Sequence, residues 1–280
     1  ATFNTFDDAE TLAELSSSTV KATGKVDVTA SDNSKIRTGA GAATLTMGSK
    51  GLGMGAAASV NLTSADVTAR IQSTTITAAS VKADASAERE ILSIAVAGAA
   101  DAGKGEGVTG SGAFTYNSIG GSVLSEVVDS NVTSSGAVDV LASEESDVIS
   151  VAGDLSVGGK VSVGLSGVAT KLSGNAYARL SGGSIRSQSL SVKSVTDRDS
   201  TGIAVGVAAS PNGNASLKGS VVVNIAGSGS TGGREGTIAE ITGGAQISTT
   251  GAITVAAAER NNLLSFAGAA AATFKSGPGI

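Results

Sequence analysis

The sequence predicts an all-β fold, a parallel β-solenoid of about five repeats of roughly 55 residues, each one long flattened turn. Three observations predict it. A short motif recurs: an apolar residue, a tight Ser/Gly turn, then a period-2 apolar run ending in a small residue. It reads VTSSGAVDVLA at 132–142 and returns at 20–30, 76–85, 185–194 and 247–257. The first apolar residues after the turn are Val26, Val81, Val138, Leu190 and Ile253, spaced by 55, 57, 52 and 63 residues. Within each repeat, Val, Ile and Thr alternate with small polar residues, and Gly, Ser and Thr clusters punctuate them, which are strand signals.

The elements of one repeat follow in order. The first is an Asn column: Asn4, Asn61, Asn117 and Asn224, with Lys171 in the fourth slot, each after a small or apolar run. Stacked amides donating to the next coil's carbonyl oxygen would form a ladder. A second column pairs a charge with an apolar residue. Its charges are Glu14, Arg70, Glu126, Arg179 and Glu240, so the sign alternates at every step. If each repeat is one coil, every carboxylate lies beside guanidinium groups, whereas an all-Glu column would repel itself. A third column, Asp27, Lys82 and Asp139, alternates and then lapses to Ser191 and Thr254. The recurring turn comes next, followed by a polar corner at Ser31-Asp32-Asn33, Glu88-Arg89-Glu90, Glu144-Glu145, Asp197-Arg198-Asp199 and Glu259-Arg260. An apolar run leads out from it, as at Ile94-Ala95-Val96, to a Gly-rich reversal at 50–53, 104–107, 158–160, 211–213 and 276–279. The segment DAETLAEL at 8–15 has helical propensity but aligns with strand positions elsewhere, so it is expected as strand. Pro211 and Pro278 both fall at reversals, where a missing N–H is harmless.

One repeat domain is therefore expected over 1–280. It has a partial repeat at 1–25, repeats at 26–80, 81–137, 138–189 and 190–252, and a partial repeat at 253–280. The chain is expected to be a piece of a longer protein, cut mid-repeat at both ends. Composition agrees with a thin repeat fold. There are 39 Gly, 2 Pro, no Cys, His or Trp, and 2% aromatic residues, while the hydrophobic 41% is mostly Ala and Val. Small side chains suit a thin layer between closely apposed sheets. Disorder needs no such register of β-branched residues.

The string V-x-V-x-A, a polar corner, an Ala/Gly run, G-S-V-x-V-N and A-x-I stands here at 138–142 (VDVLA), 151–153 (VAG), 219–224 (GSVVVN) and 239–241 (AEI). It resembles the Gly/Ala/Val-rich β-strand repeats of large secreted bacterial adhesins, the filamentous-haemagglutinin-like and leukotoxin-like exoproteins. The resemblance covers the whole chain and includes no catalytic signature. It implies an elongated β-solenoid, secretion or display at the cell surface, and adhesion or scaffolding. The repeat departs from the best-known filamentous type in being far longer than its roughly 20 residues.

Chemistry is mostly excluded. Without His or Cys there is no imidazole base, no His or Cys metal site and no thiol nucleophile. No catalytic, cofactor-binding or metal residue is expected, and no cofactor. Gly39-Ala40-Gly41 lacks the Gly-Lys-Ser/Thr ending of a phosphate loop. The acidic corners at 144–147 and 197–199 have the donors of a Ca²⁺ site but not the spacing of calcium-binding β-rolls, and read as solvated. Asn61, Asn131 and Asn214 begin glycosylation sequons of the kind that arise easily in a Ser/Thr-rich chain. The net charge of −5, without a basic run, excludes nucleic acid as an expected partner. No segment is apolar enough for a membrane span.

The expected function is a non-enzymatic, secreted or cell-surface structural segment, the stalk or passenger of a bacterial adhesin. A self-assembling subunit of an extracellular filament or sheath is the alternative. A polysaccharide-acting β-helix enzyme ranks below both, because it needs an acid–base set and aromatic platforms. Expected partners are neighbouring repeats or copies of itself, with a host surface or glycan beyond them.

Overall fold

A computed structural model describes residues 1–47, 50–103, 106–211, 213, 215–227 and 236–274, with the backbone alone at Asp7 and Asp8. It is a parallel β-solenoid. Each of the first four coils is three strands: a long wall, a short edge and a second long wall. Coil one is β1 (Thr2–Ser16), β2 (Thr19–Lys21) and β3 (Lys25–Thr46); coil two is β4 (Leu52–Gln72), β5 (Thr75–Ala78) and β6 (Ser80–Asp101). Coil three is β7 (Val108–Val128), β8 (Asn131–Ser134) and β9 (Ala137–Val157). Coil four is β10 (Val161–Ser181), β11 (Ser184–Ser187) and β12 (Ser189–Ser210). In coil five the first wall is two strands, β13 (Ala215–Ala226) and β14 (Thr237–Thr242), before β15 (Gln246–Thr249) and β16 (Ile253–Thr273).

Equivalent strands pair in parallel into three sheets. The first wall is ordered β1-β4-β7-β10-β13, with β14 also on β10; the edge is β2-β5-β8-β11-β15; the second wall is β3-β6-β9-β12-β16. One repeat is therefore one coil. Val26, Val81, Val138, Leu190 and Ile253 occupy one register position down the second wall. A 21-residue wall is about 70 Å long, and neighbouring coils lie about 4.8 Å apart. The segment at 8–15 lies within β1.

The residues expected at a polar corner do not turn the chain. Asp197-Arg198-Asp199 lie inside β12 and Glu88-Arg89-Glu90 inside β6, both 22-residue strands. Charge marks a turn only where no other demand is met. Here alternate residues face inside and outside, and the inward charges find partners. The real bend lies between the first wall and the edge. Ser17, Ser73 and Asp129 take left-handed φ values of 47°, 51° and 46° there, and Gly182 and Gly243 hold the same place at 66° and 65°. Asp tolerates this conformation better than most residues, and serine takes it at some cost. The next residue caps the bend: Thr74 Oγ1 donates to the Gln72 carbonyl at 2.8 Å, and Ser130 Oγ to that of Val128 at 2.8 Å.

The interior differs along the wall. Near the short edge three sheets surround an apolar core that includes Ile71, Ile76, Val81, Val132, Leu180 and Ile185. Farther out, two walls face each other alone, with a core of Ala57, Ala95, Ala97, Ala113, Ala152 and Val168. Hydroxyls join the walls there: Thr38 Oγ1 lies 2.8 Å from Ser59 Oγ, and Ser93 Oγ donates to Ser59 Oγ at 3.0 Å. At the far end the chain passes from each coil to the next through a Gly-rich segment. Of these segments, residues 48–49, 104–105, 212, 214 and 275–280 lie outside the described residues.

The corner is testable from both sides. Gly183 has φ 64°, and a side chain there would run into the Ser130 carbonyl oxygen. Gly183→Val is expected to cost about 1–3 kcal/mol. Ser73→Gly, which relieves a left-handed serine, is expected to gain up to about 1 kcal/mol. Thermal denaturation of both variants checks the opposite signs.

Candidate functional site

The polar and charged groups that mark this chain belong to stacked columns, so the candidate site is a set of ladders rather than a cleft. The Asn column faces inward. Asn4, Asn61 and Asn117 are in register. Asn4 Nδ2 donates to Asn61 Oδ1 at 2.9 Å, and Asn61 Nδ2 donates to Asn117 Oδ1 at 2.7 Å. There the ladder crosses to the other wall, where Asn117 Nδ2 donates to Ser150 Oγ at 2.6 Å. The fourth slot holds Thr170, not Lys171: Thr170 pairs with both Asn117 and Asn224. A one-residue slip reverses the face of a strand residue, and Lys171 points outward. Asn224 leaves the ladder and donates to the Leu264 carbonyl at 3.0 Å.

The column of alternating sign lies on the outer face of the first wall. Glu14 pairs in register with Arg70, Arg70 with Glu126, Glu126 with Arg179, and Arg179 with Glu240. Glu126 is the centre. Arg70 Nε and Arg179 Nη2 both donate to its carboxylate, which is left 3% exposed. The Arg179 guanidinium also lies 5.8 Å from the Tyr177 ring, whose hydroxyl donates to Glu240.

A second ladder of alternating sign lies inside the coil, where a polar corner was expected. Its members are Asp32, Arg89, Glu144, Arg198 and Glu259, one from each coil. Arg89 Nε donates to Asp32 Oδ2 at 3.2 Å; Arg198 Nε lies 3.7 Å from Glu144 Oε2, and its Nη1 donates to Glu259 Oε1 at 2.7 Å. The arginines stand one inward position beyond the carboxylates, so each guanidinium reaches along the coil. Each also donates across the coil to the first wall, Arg89 to the Ala65 carbonyl at 2.7 Å and Arg198 to that of Gly174. Burial pushes the Glu144 carboxyl up, against the Ser146 hydroxyl and the nearby Arg198. The spacing of these five residues is a repeat-length signal in the sequence, hidden because they occupy two adjacent inward columns.

Outside the same strands the charge does not alternate. Glu88, Glu145 and Asp197 form one column, and Glu90, Asp147 and Asp199 the next. Cations close the patch at both margins. Lys35 Nζ lies 3.3 Å from Glu90, and Arg260 Nη2 lies 2.7 Å from Asp197 and 3.1 Å from Asp199. Glu145 and Asp147, in the middle coil, have carboxylates on both sides. Partial burial, then the neighbouring acids, hold both carboxyls above their ordinary values. Among the described residues no three acidic side chains converge to hold a metal ion. Asn61 is fully buried, so its sequon is inaccessible in the fold; Asn131 is exposed and accepts from Ser184; Asn214 lies outside the described residues.

The one buried lysine the described residues show is sealed from solvent. Lys218 of β13 reaches through coil four to Asp154 of β9, which also accepts from Ser111 Oγ at 2.7 Å. Gly164 and Gly206 flank its path, and a side chain on either would collide with Lys218. Burial pushes Lys218 down to about 8, and the touching Asp154 carboxylate works against that fall. With the pair 1% and 0% exposed, no substrate reaches it.

No protein-family model, curated protein or solved structure matches this chain.

Two outcomes test the ladders. Arg198→Leu strands the buried Glu144 carboxylate and is expected to cost about 3–5 kcal/mol, while Arg198→Leu with Glu144→Leu recovers most of it. Urea denaturation of single and double variants reads the coupling. For the outer patch, a raised carboxyl contributes most when protonated, and that contribution is lost as pH rises through the folded-state value. Glu145→Gln with Asp147→Asn is therefore expected to gain up to about 1 kcal/mol at pH 7. The gain disappears below about pH 4, where wild type is itself protonated. Melting temperatures across that range check the sign.

Proposed function

We propose that this chain is a non-enzymatic structural segment, the stalk or passenger of a secreted or cell-surface bacterial adhesin. The observation that carries the reading is the use made of its polar groups. Asn61, Asn117, Arg89, Glu126 and Arg198 direct hydrogen bonds to neighbouring coils or the facing wall, and Glu144 is ion-paired with Arg198 of the next coil. None is held in a cleft for a reacting group. The register runs through five coils, with a one-residue shift between Phe6 and Ala9, a break in pairing at residues 65–66, and a change of offset between β13 and β14 in coil five. Such an arrangement extends by adding coils, which suits a stalk that holds something else away from a surface.

The proposal is tested on cells that make the protein. Antibodies against this segment are expected to label intact cells, and external protease is expected to remove the label. Labelling only after lysis overturns the assignment. Release of reducing ends from an acidic polysaccharide by the purified chain overturns its non-enzymatic part.

A further inference from the structure

The outer half of every coil, toward the Gly-rich reversals, has an interior of Ala, Val168 and polar side chains. Its interior carries Ser59, Asn61, Ser93, Thr115, Asn117 and Ser150, each fully buried. Its large apolar side chains face out. On the first wall Met54 is 69% exposed, Phe114 45%, Leu165 60% and Leu217 67%. On the second wall Ile149, Leu155, Val205 and Val207 are about half exposed. On the first wall this half spans about nine residues of each strand, or about 30 Å, over the four strands β4, β7, β10 and β13 about 4.8 Å apart, while β1, whose Thr2 is in register with Ser59, reaches only its margin. That gives roughly 580 Å² on this face, at the upper end of the patch size usual on a monomer.

We propose that the outer face of this half of the first wall, on β4, β7, β10 and β13, is the docking surface for a second copy of this chain. Three features select that occupant. The area is the first: two such faces together would bury about 1,150 Å², above the roughly 1,000 Å² that a specific protein interface needs. The relief is the second. Gly112 and Gly167 lie beside Phe114 and Leu165, leaving an apolar groove of about 520 Å³ that also touches Ala58 and Val221. Its ridges repeat at the spacing between coils, and another face of the same sheet repeats at that spacing too. Sheets with matching relief pack about 10 Å apart with side chains interdigitated.

Charge is the third, and it sets the orientation. The outer face of the other half of the same wall carries Glu10, Glu14, Asp66, Glu126 and Glu240 against Arg70, Lys171 and Arg179, a negative excess. Two copies avoid like charge by overlapping only in their apolar halves, with the charged halves pointing opposite ways. Added salt then strengthens association by screening residual repulsion. The second wall has an apolar outer face of its own, so a pair docked through the first wall still presents apolar surface, and growth beyond two copies is open. The inference is independent of where the protein resides, so its failure leaves the stalk assignment standing.

The test is light scattering after size exclusion on the 280-residue chain, over a concentration series at low and high salt. Wild type is expected at twice the monomer mass or more, with association stronger at high salt. Leu165→Glu and Phe114→Glu, both at outward positions, are expected to weaken association at least about tenfold with unchanged circular dichroism. Val205→Glu on the opposite wall is expected to retain the pair and remove only larger species. A monomer under all conditions overturns the proposal. So does association that Leu165→Glu leaves intact, which would place the contact at the coil ends. Flotation of wild type with phosphatidylcholine vesicles, abolished by the same substitutions, would make lipid the occupant and also overturn it.

Discussion

Parallel stacking in register sets the rule that the rest of this molecule obeys. Each side chain has its counterpart from the next coil about 4.8 Å above it and another below. An apolar column satisfies that rule without cost, as Val26, Val81, Val138, Leu190 and Ile253 do. A charged column cannot, because like charges would be stacked at close range. The chain meets this difficulty in three ways. On the outer first wall it alternates sign, so that Glu126 is held between Arg70 and Arg179. Inside, where an unpaired charge costs far more, it alternates again and adds carbonyl acceptors for Arg89 and Arg198. On the outer second wall it accepts acidic columns and places Lys35 and Arg260 at their margins, where water screens what remains.

The division of each coil into two halves follows from what separates the walls. At the short edge a third sheet props them apart, leaving room for Ile, Leu and Val. Beyond it the two walls close on a band of Ile91, Ile119, Val148 and Leu172, and nearest the reversals the gap admits mainly Ala, Ser, Thr and Gly. A thin interior of Ala alone would bury little apolar area. The hydroxyl and amide pairs across the gap add directional contacts and compensate their own desolvation. Buried Arg89 and Arg198 lie between the two regimes, where their fixed forks meet both a carboxylate and a backbone carbonyl.

Much of this was legible in the sequence, because a repeat exposes its own register. The Glu14 to Glu240 column and the five first-apolar positions could be aligned by eye, and the alternating sign pointed to one coil per repeat. Three things could not be read that way. Thr170 rather than Lys171 faces Asn117, since identity at a column says nothing of which face a residue one step away occupies. The supposed polar corner is straight strand, because a run such as Asp197-Arg198-Asp199 looks like a solvated bend until the burial of its middle residue is known. The bend itself rests on Ser17, Ser73, Asp129, Gly182 and Gly243, which share a backbone conformation and no single residue type.

The thin half also changes what stabilises the molecule. Burial contributes about 25 cal/mol per Å² of apolar surface removed from water. In the half near the edge, Ile71, Leu180 and Ile185 are buried by folding itself. In the other half the side chains with most to contribute, Phe114, Leu165 and Leu217 among them, stay in water when the coil closes. Their contribution becomes available only when something covers the face. Coverage by a second copy would stabilise the folded state by mass action, since an unfolded chain presents no such face. Folding of the thin half and lateral assembly would then draw on one apolar surface, and the stiffness of the ribbon would rise with the number of copies packed along it.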